Sequence, residues 1–233
     1  MKPYFILLLA MCLSLMGLAQ NSVETAKRVS YRKMRKRKAT EQIVGLHDGV
    51  LLVRLKTKQP TIEALKERGK AERAAKVEAE QKQLNLGIVA AFKDSFDFCP
   101  VYFFYSNYTQ QVKSGDLGSV EFLNEELQSD NRIKLDDPYY LTAEIGSVVE
   151  DTTSFFDRHY YEPTTNGPQK KDAYYGGNNF GFEALVMKSD QLIQLSRPFP
   201  YYVRMLRKPL PILVSELNAD LHHFYERKDK WKK

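Results

Sequence analysis

Cysteine is nearly absent from this chain, with two residues in 233. Cys12 lies in an apolar leader and Cys99 in the body. Without the leader Cys99 has no partner, which excludes an intramolecular disulfide framework. Its setting, Phe96-Asp97-Phe98-Cys99-Pro100-Val101, is apolar and predicts a buried thiol. A catalytic pair of Cys99 with His159, or with His47 behind it, would want cationic neighbours or a helix N-terminus. Cys99 has Phe98, Pro100 and Asp97 instead.

A phosphate-cradling loop is also missing. The turn after the strand-like run Val50 to Leu55 is Lys56-Thr57-Lys58-Gln59-Pro60, with no glycine to let backbone amides approach an anion. Tyr174 to Phe182 contains three glycines, but it leads into a strand and not a helix, which suits a tight loop. Histidine is scarce, at four residues, and no spacing forms a recognisable metal-ligand set. His222 and His223 are adjacent on a helix and diverge by about 100°; His222 with Glu226 supplies only two ligands on one face. No metal and no cofactor are implied.

Apolar runs long enough to span a membrane are lacking too. The longest, Tyr4 to Leu15, falls short of the about 20 residues a spanning helix needs. Lys2, this short apolar run, and small residues at Gly17 and Ala19 make up a secretory leader. It resembles bacterial type I signal sequences, which implies cleavage after Ala19. Two alternatives are weaker. An uncleaved anchor is short, although the basic cluster behind the run would suit one. A lipoprotein reading of Cys12 meets Met11 where a small residue is expected.

The formal charge of +6 is unevenly placed. From Lys27 to Lys38 acid is absent, and eight cations crowd together: Lys27, Arg28, Arg32, Lys33, Arg35, Lys36, Arg37 and Lys38. Five more follow Glu226. Between Ala39 and Glu226 stand 21 basic residues against 27 acids, a net −6. The ends are cationic and the body acidic, which points to attachment through the ends.

Residues 20–40 carry few large apolar side chains and read as a flexible basic arm; a helix over 24–38 would be surface-bound. Residues 41–228 form a single domain and 229–233 a basic tail. The fold class is α/β (or α+β), a mixed sheet with a strand–helix–strand unit. Its strands are 50–55 and 101–105, and its long helix runs over about 60–95, with Gly69 and Gly87 as possible breaks. Val120 to Leu127 is a weak helix or edge element. Tyr139 to Val149 reads as a strand interrupted by Gly146, Phe182 to Lys188 with Gln191 to Leu195 as a hairpin, and Phe199 to Leu206 as a strand. Leu213, Leu217, Leu221 and Phe224 stripe a C-terminal amphipathic helix, Leu210 to Lys228. Thr152 to Phe180 lacks periodicity, and a loop that long is often functional.

At its start and just before it, Asp151, Asp157, His159 and Glu162 are the densest polar group and the candidate residues for an acid–base or metal site. Arg158 offers a simpler role for them as ion-pair partners. Fourteen tyrosines, many paired, suit a glycan- or peptide-facing surface, although sheet packing accounts for most. The composite expectation is an exported protein of the bacterial periplasm or cell surface, non-catalytic, contacting an anionic envelope surface or a partner protein. Nucleic acid is not an expected partner, and membrane contact is peripheral. The rival is a secreted hydrolase-like enzyme using the 150–162 segment.

Overall fold

The apolar run Val50–Leu55 forms β1, and every residue but Arg54 is buried. A strand covered on both faces belongs in the middle of a parallel sheet. β1 pairs in parallel with β2 (Val101–Tyr105) on one side and β4 (Tyr140–Ser147) on the other. The computed structural model describes residues 32–148, 161–164, 167–170 and 182–231. In it, β3 (Phe122–Leu123) borders β2 antiparallel, β7 (Glu183–Lys188) borders β4 antiparallel, and β8 (Tyr202–Arg204) borders β7. The order of the six-stranded sheet is β3-β2-β1-β4-β7-β8. β5 (Tyr161–Thr164) and β6 (Gly167–Lys170) form a separate two-stranded ladder. This is the expected α/β fold with a mixed sheet.

Alternation along each strand divides the core in two. Leu51, Val53, Leu55, Phe103, Leu141, Leu185 and Met187 meet three helices: α1 (residues 32–48), α3 (Ala71–Ser95) and α5 (Leu210–Glu226). Val50, Leu52, Phe104 and Tyr140 face the other way. They pack on Val112 of α4 (Thr109–Ser114) and on Leu117, Val120 and Phe122. The Tyr140 hydroxyl donates to Val112 O at 2.6 Å, tying the sheet to this second layer. The predicted stripe of α5 is buried at all four positions.

The long helix is two helices. α2 (Gln59–Glu67) carries Pro60 in its first turn, where a missing N–H costs nothing. It ends at Gly69, whose φ of 69° is left-handed, and the Lys70 N–H bonds back to Leu65 O. Gly87 breaks nothing. A Cβ there would lie 3.0 Å from Leu210 Cδ1, so the glycine lets α5 approach α3. β4 likewise runs through Gly146, opposite Ala184, without interruption.

Two further expectations change. The arm boundary at Thr40 falls inside α1: residues 32–40 are helical, and Ala39 and Thr40 are buried. The apolar positions Ala39, Ile43 and Leu46 share a face at helical spacing, and docking them extends helix back into the basic stretch. Gln191 to Leu195 does turn back antiparallel to β7, but the pairing is a single bridge, Lys188 with Gln194, and not a strand. Ser189 N–H donates to Ile193 O and Leu195 N–H to Met187 O, while Ser189 Oγ accepts the N–H groups of Gln191 and Ile193 and Leu192 is left-handed, so the return pairing stays short. β8 pairs with the earlier part of β7, from Ala184 to Val186. Of the two alternatives for residues 120–127, the edge element holds: they supply the edge strand β3. Residues 1–31, including the leader, lie outside the described residues. No helix among the described residues is long and apolar enough to cross a membrane.

Candidate functional site

The basic stretch acquires a shape from α1. Its later turns are anchored in the core by Ala39, Ile43 and Leu46. Its first turns therefore stand as a fixed stem. Arg32, Lys33, Lys36, Arg37 and Lys38 are exposed on it and Arg35 is half-buried. Six cations within seven helical positions point in nearly every direction around the axis, because successive side chains turn by about 100°. Arg37 Nε donates to Glu41 at 2.8 Å. That pair is exposed on both sides and contributes little to stability. The like-charge neighbours Arg32–Lys36 and Lys33–Arg37 cost the helix about 0.2–0.5 kcal/mol each. Lys27 and Arg28 lie outside the described residues.

Of the acid and imidazole group proposed for chemistry, Asp151, Asp157 and His159 also lie outside the described residues. Glu162 falls in β5, opposite Gln169.

His222 has a role that sequence reasoning missed. Its Nε2 lies 2.9 Å from Asp97 Oδ1, and Asn218 Nδ2 donates to the same oxygen at 2.7 Å. Asn218 Oδ1 accepts the N–H groups of Asp97 and Phe98, so one turn of α5 holds the loop that enters β2. Hydrogen bonds from Asn218 and then His222 hold the Asp97 carboxyl below its ordinary range. The i,i+4 spacing of Asn218 and His222 was visible in the sequence; Asp97, 125 residues away from His222, was not. His47 stacks on Tyr225 with ring centroids 4.1 Å apart, and Phe98 meets both rings edge-on.

This cluster adjoins Cys99 in the chain, and the setting of the thiol disfavours the thiolate that a nucleophile needs. Cys99 is buried, and burial pushes its pKa up to about 12. His47 Nδ1 is engaged by Asp48 at 2.9 Å. At pH 8 the thiolate fraction is on the order of one in ten thousand. Peptide mapping after brief treatment with iodoacetamide at pH 8 is expected to find Cys99 unlabelled in the native protein and labelled in guanidinium. Rapid native labelling at Cys99 would restore it as a candidate.

Two polar networks lie deeper. Glu144 on β4 accepts from Arg54 Nη1 and from Lys188 Nζ, each at 2.6 Å, and Arg54 Nε donates to Thr109 Oγ1 at 3.0 Å. On α3, Gln81 Nε2 donates to Asn85 Oδ1, and Asn85 Nδ2 donates to Lys56 O, both at 2.9 Å. The second chain explains two amides on a buried helix face: they secure the loop leaving β1. Among the described residues no three histidine, cysteine or acidic side chains are grouped as metal ligands. No family model matches this chain, and no curated protein or solved structure is found to be similar to it.

Proposed function

We propose that this is an exported, non-catalytic protein of the bacterial envelope, which binds an anionic surface through the cationic first turns of α1. The observation that carries the reading is the set of exposed cations on a helix whose other end is buried in the core. Intrahelical repulsion makes that arrangement unfavourable for the isolated helix, and an anionic partner offsets it. Near an anionic membrane each lysine or arginine is worth about 1 kcal/mol at the surface, and the attraction decays over a Debye length of about 10 Å at 0.1 M salt. Presenting the charges on a stem also avoids the cost of ordering an extended arm.

The test is cosedimentation with vesicles rich in phosphatidylglycerol. Arg32→Glu/Lys33→Glu/Arg37→Glu is expected to weaken binding by at least about a hundredfold at low salt, with thermal stability within about 0.5 kcal/mol of the parent. The parent's binding should fall steeply as salt rises. Vesicle binding unchanged in this variant would sink the reading.

A further inference from the structure

Between α1 and the 189–196 segment runs a groove of about 620 Å³, floored by the start of β4. That volume is within the range of small-molecule sites, about 300–1,000 Å³. Its central feature is Tyr139, which is 45% exposed although it adjoins a buried strand. A Cβ built on Gly45 would lie 2.7, 2.8 and 2.8 Å from three adjacent atoms of the Tyr139 ring. Near-equal distances place that point over the ring face and not at its edge. One face of the ring therefore rests on the α1 backbone and the orientation of the other is set. Gly49, at the foot of the helix, makes the same wedge possible: its Cβ would lie 2.1 Å from Tyr139 O. A glycine within a helix costs about 1 kcal/mol relative to alanine, and here Gly45 seats an aromatic plate.

Arg35, Lys38, Gln42 and Gly45 follow one another on a single face of α1, by the spacings that bring side chains into register. Arg35 and Lys38 line the far end of the groove. From position 35 to position 45 the helix rises about 15 Å, the length of a short oligosaccharide. Two carboxylates also line the groove, and both are engaged locally: Glu41 by Arg37 at 2.8 Å, and Asp190 by the N–H of Gln191 at 2.9 Å. Their remaining lone pairs can accept hydrogen bonds from hydroxyls, but would repel a phosphate-dense ligand. β4 is already paired on both edges, with β1 and β7, so an extended peptide finds no strand to join there.

We propose that this groove binds a segment of acidic polysaccharide, with one sugar ring stacked on Tyr139 and a uronic carboxylate held by Lys38 and Arg35. A ring face suits the C–H face of a sugar, the cations suit a sparse acid, and the carboxylates suit hydroxyls. This rests on the reading of α1 as the part that meets an anionic surface, and it names the surface's chemistry.

Calorimetric titration of the full chain with tetragalacturonate tests it, beside a neutral cellulose oligomer, a glutamate peptide of equal charge, and phosphatidylglycerol vesicles. The parent is expected to bind tetragalacturonate at least about tenfold more tightly than either other soluble probe. Tyr139→Phe, which keeps the ring, should retain binding within about twofold, while Tyr139→Ala and Lys38→Glu each lose about tenfold or more. Lys38 is exposed, so its variant should fold normally. Arg32→Glu/Lys33→Glu/Arg37→Glu should lose vesicle binding and keep most oligouronate binding. Equal affinity for the glutamate peptide, or binding indifferent to Tyr139→Ala, would overturn the groove assignment. Vesicle binding without oligouronate binding overturns the groove alone; failure of both in the parent overturns the surface reading as well.

Discussion

Glu144→Ala is expected to destabilise the fold by about 3–5 kcal/mol at pH 7, because it removes the anion shared by two partly buried cations, Arg54 and Lys188. Breaking a buried pair costs more than the pair contributes, since each cation left behind keeps its desolvation penalty. Burial by itself would raise the Glu144 carboxyl, but the hydrogen bonds and charges of Lys188 and Arg54 outweigh it and hold the pKa below its ordinary value. A depressed carboxylate contributes stability above the unfolded-state pKa of about 4.3 and loses it as pH falls through the folded value. The gap between parent and Glu144→Ala should therefore be full at neutral pH and narrow under acid. Replacing all three with apolar residues of similar size, Arg54→Met/Glu144→Leu/Lys188→Met, should leave stability near the parent's or above it. Urea denaturation at pH 7 and pH 4 measures each term. A stable Glu144→Ala protein at pH 7 would show that solvent reaches the triad.

Phe92→Ala should cost a comparable amount, about 3–5 kcal/mol. Phe92 is fully buried on α3, with ring centroids 5.5 Å from Phe96 and 6.1 Å from Phe103. It joins the helix to β2 across the larger core, so truncation leaves a cavity that the rigid sheet cannot close. Alanine is the better helix former, yet that gain is below about 1 kcal/mol. For a domain of this size the melting temperature should fall by about 10 °C. A shift of one or two degrees would mean that α3 is free to collapse onto the sheet, contrary to its packing between α2 and α5. Neither prediction depends on the proposed function, so both variants should still bind anionic vesicles while folded.

How much of this was legible beforehand varied with the range of the interaction. β1, β2 and α5 could be read because their signals are local: continuous apolar residues in the first two and a Leu213-Leu217-Leu221-Phe224 stripe in the third. Gly69 and Gly87 looked alike in sequence. Only the first takes a left-handed turn; the second admits Leu210 from a helix more than a hundred residues away. The hairpin at Ser189 shrank to a single Lys188–Gln194 bridge, because side-chain capping by Ser189 competes with further strand pairing. Glu144 and Arg54 each stood as a lone charge in an otherwise apolar strand. That was a usable signal, but it named neither partner nor depth. The helix through residues 32–40 was legible only as a surface-bound alternative over 24–38, because composition spoke for solvation; docking of Ile43 and Leu46 decided for it.

By itself the sequence determined the periodicities, the separation of cationic ends from an acidic body, the scarcity of cysteine and the absence of a phosphate loop. All of these are properties of residues near one another in the chain. Tertiary structure decided which residues meet: Glu144 with Arg54 and Lys188, Asp97 with His222, Tyr139 with Gly45. It also decided that six cations belong to a stem and that an aromatic ring faces a groove. The physical reason is that hydrophobic burial is non-directional and sets only which faces turn inward. Pairing of buried polar groups, and the close approach that a glycine permits, depend on distances that exist only once the sheet has assembled.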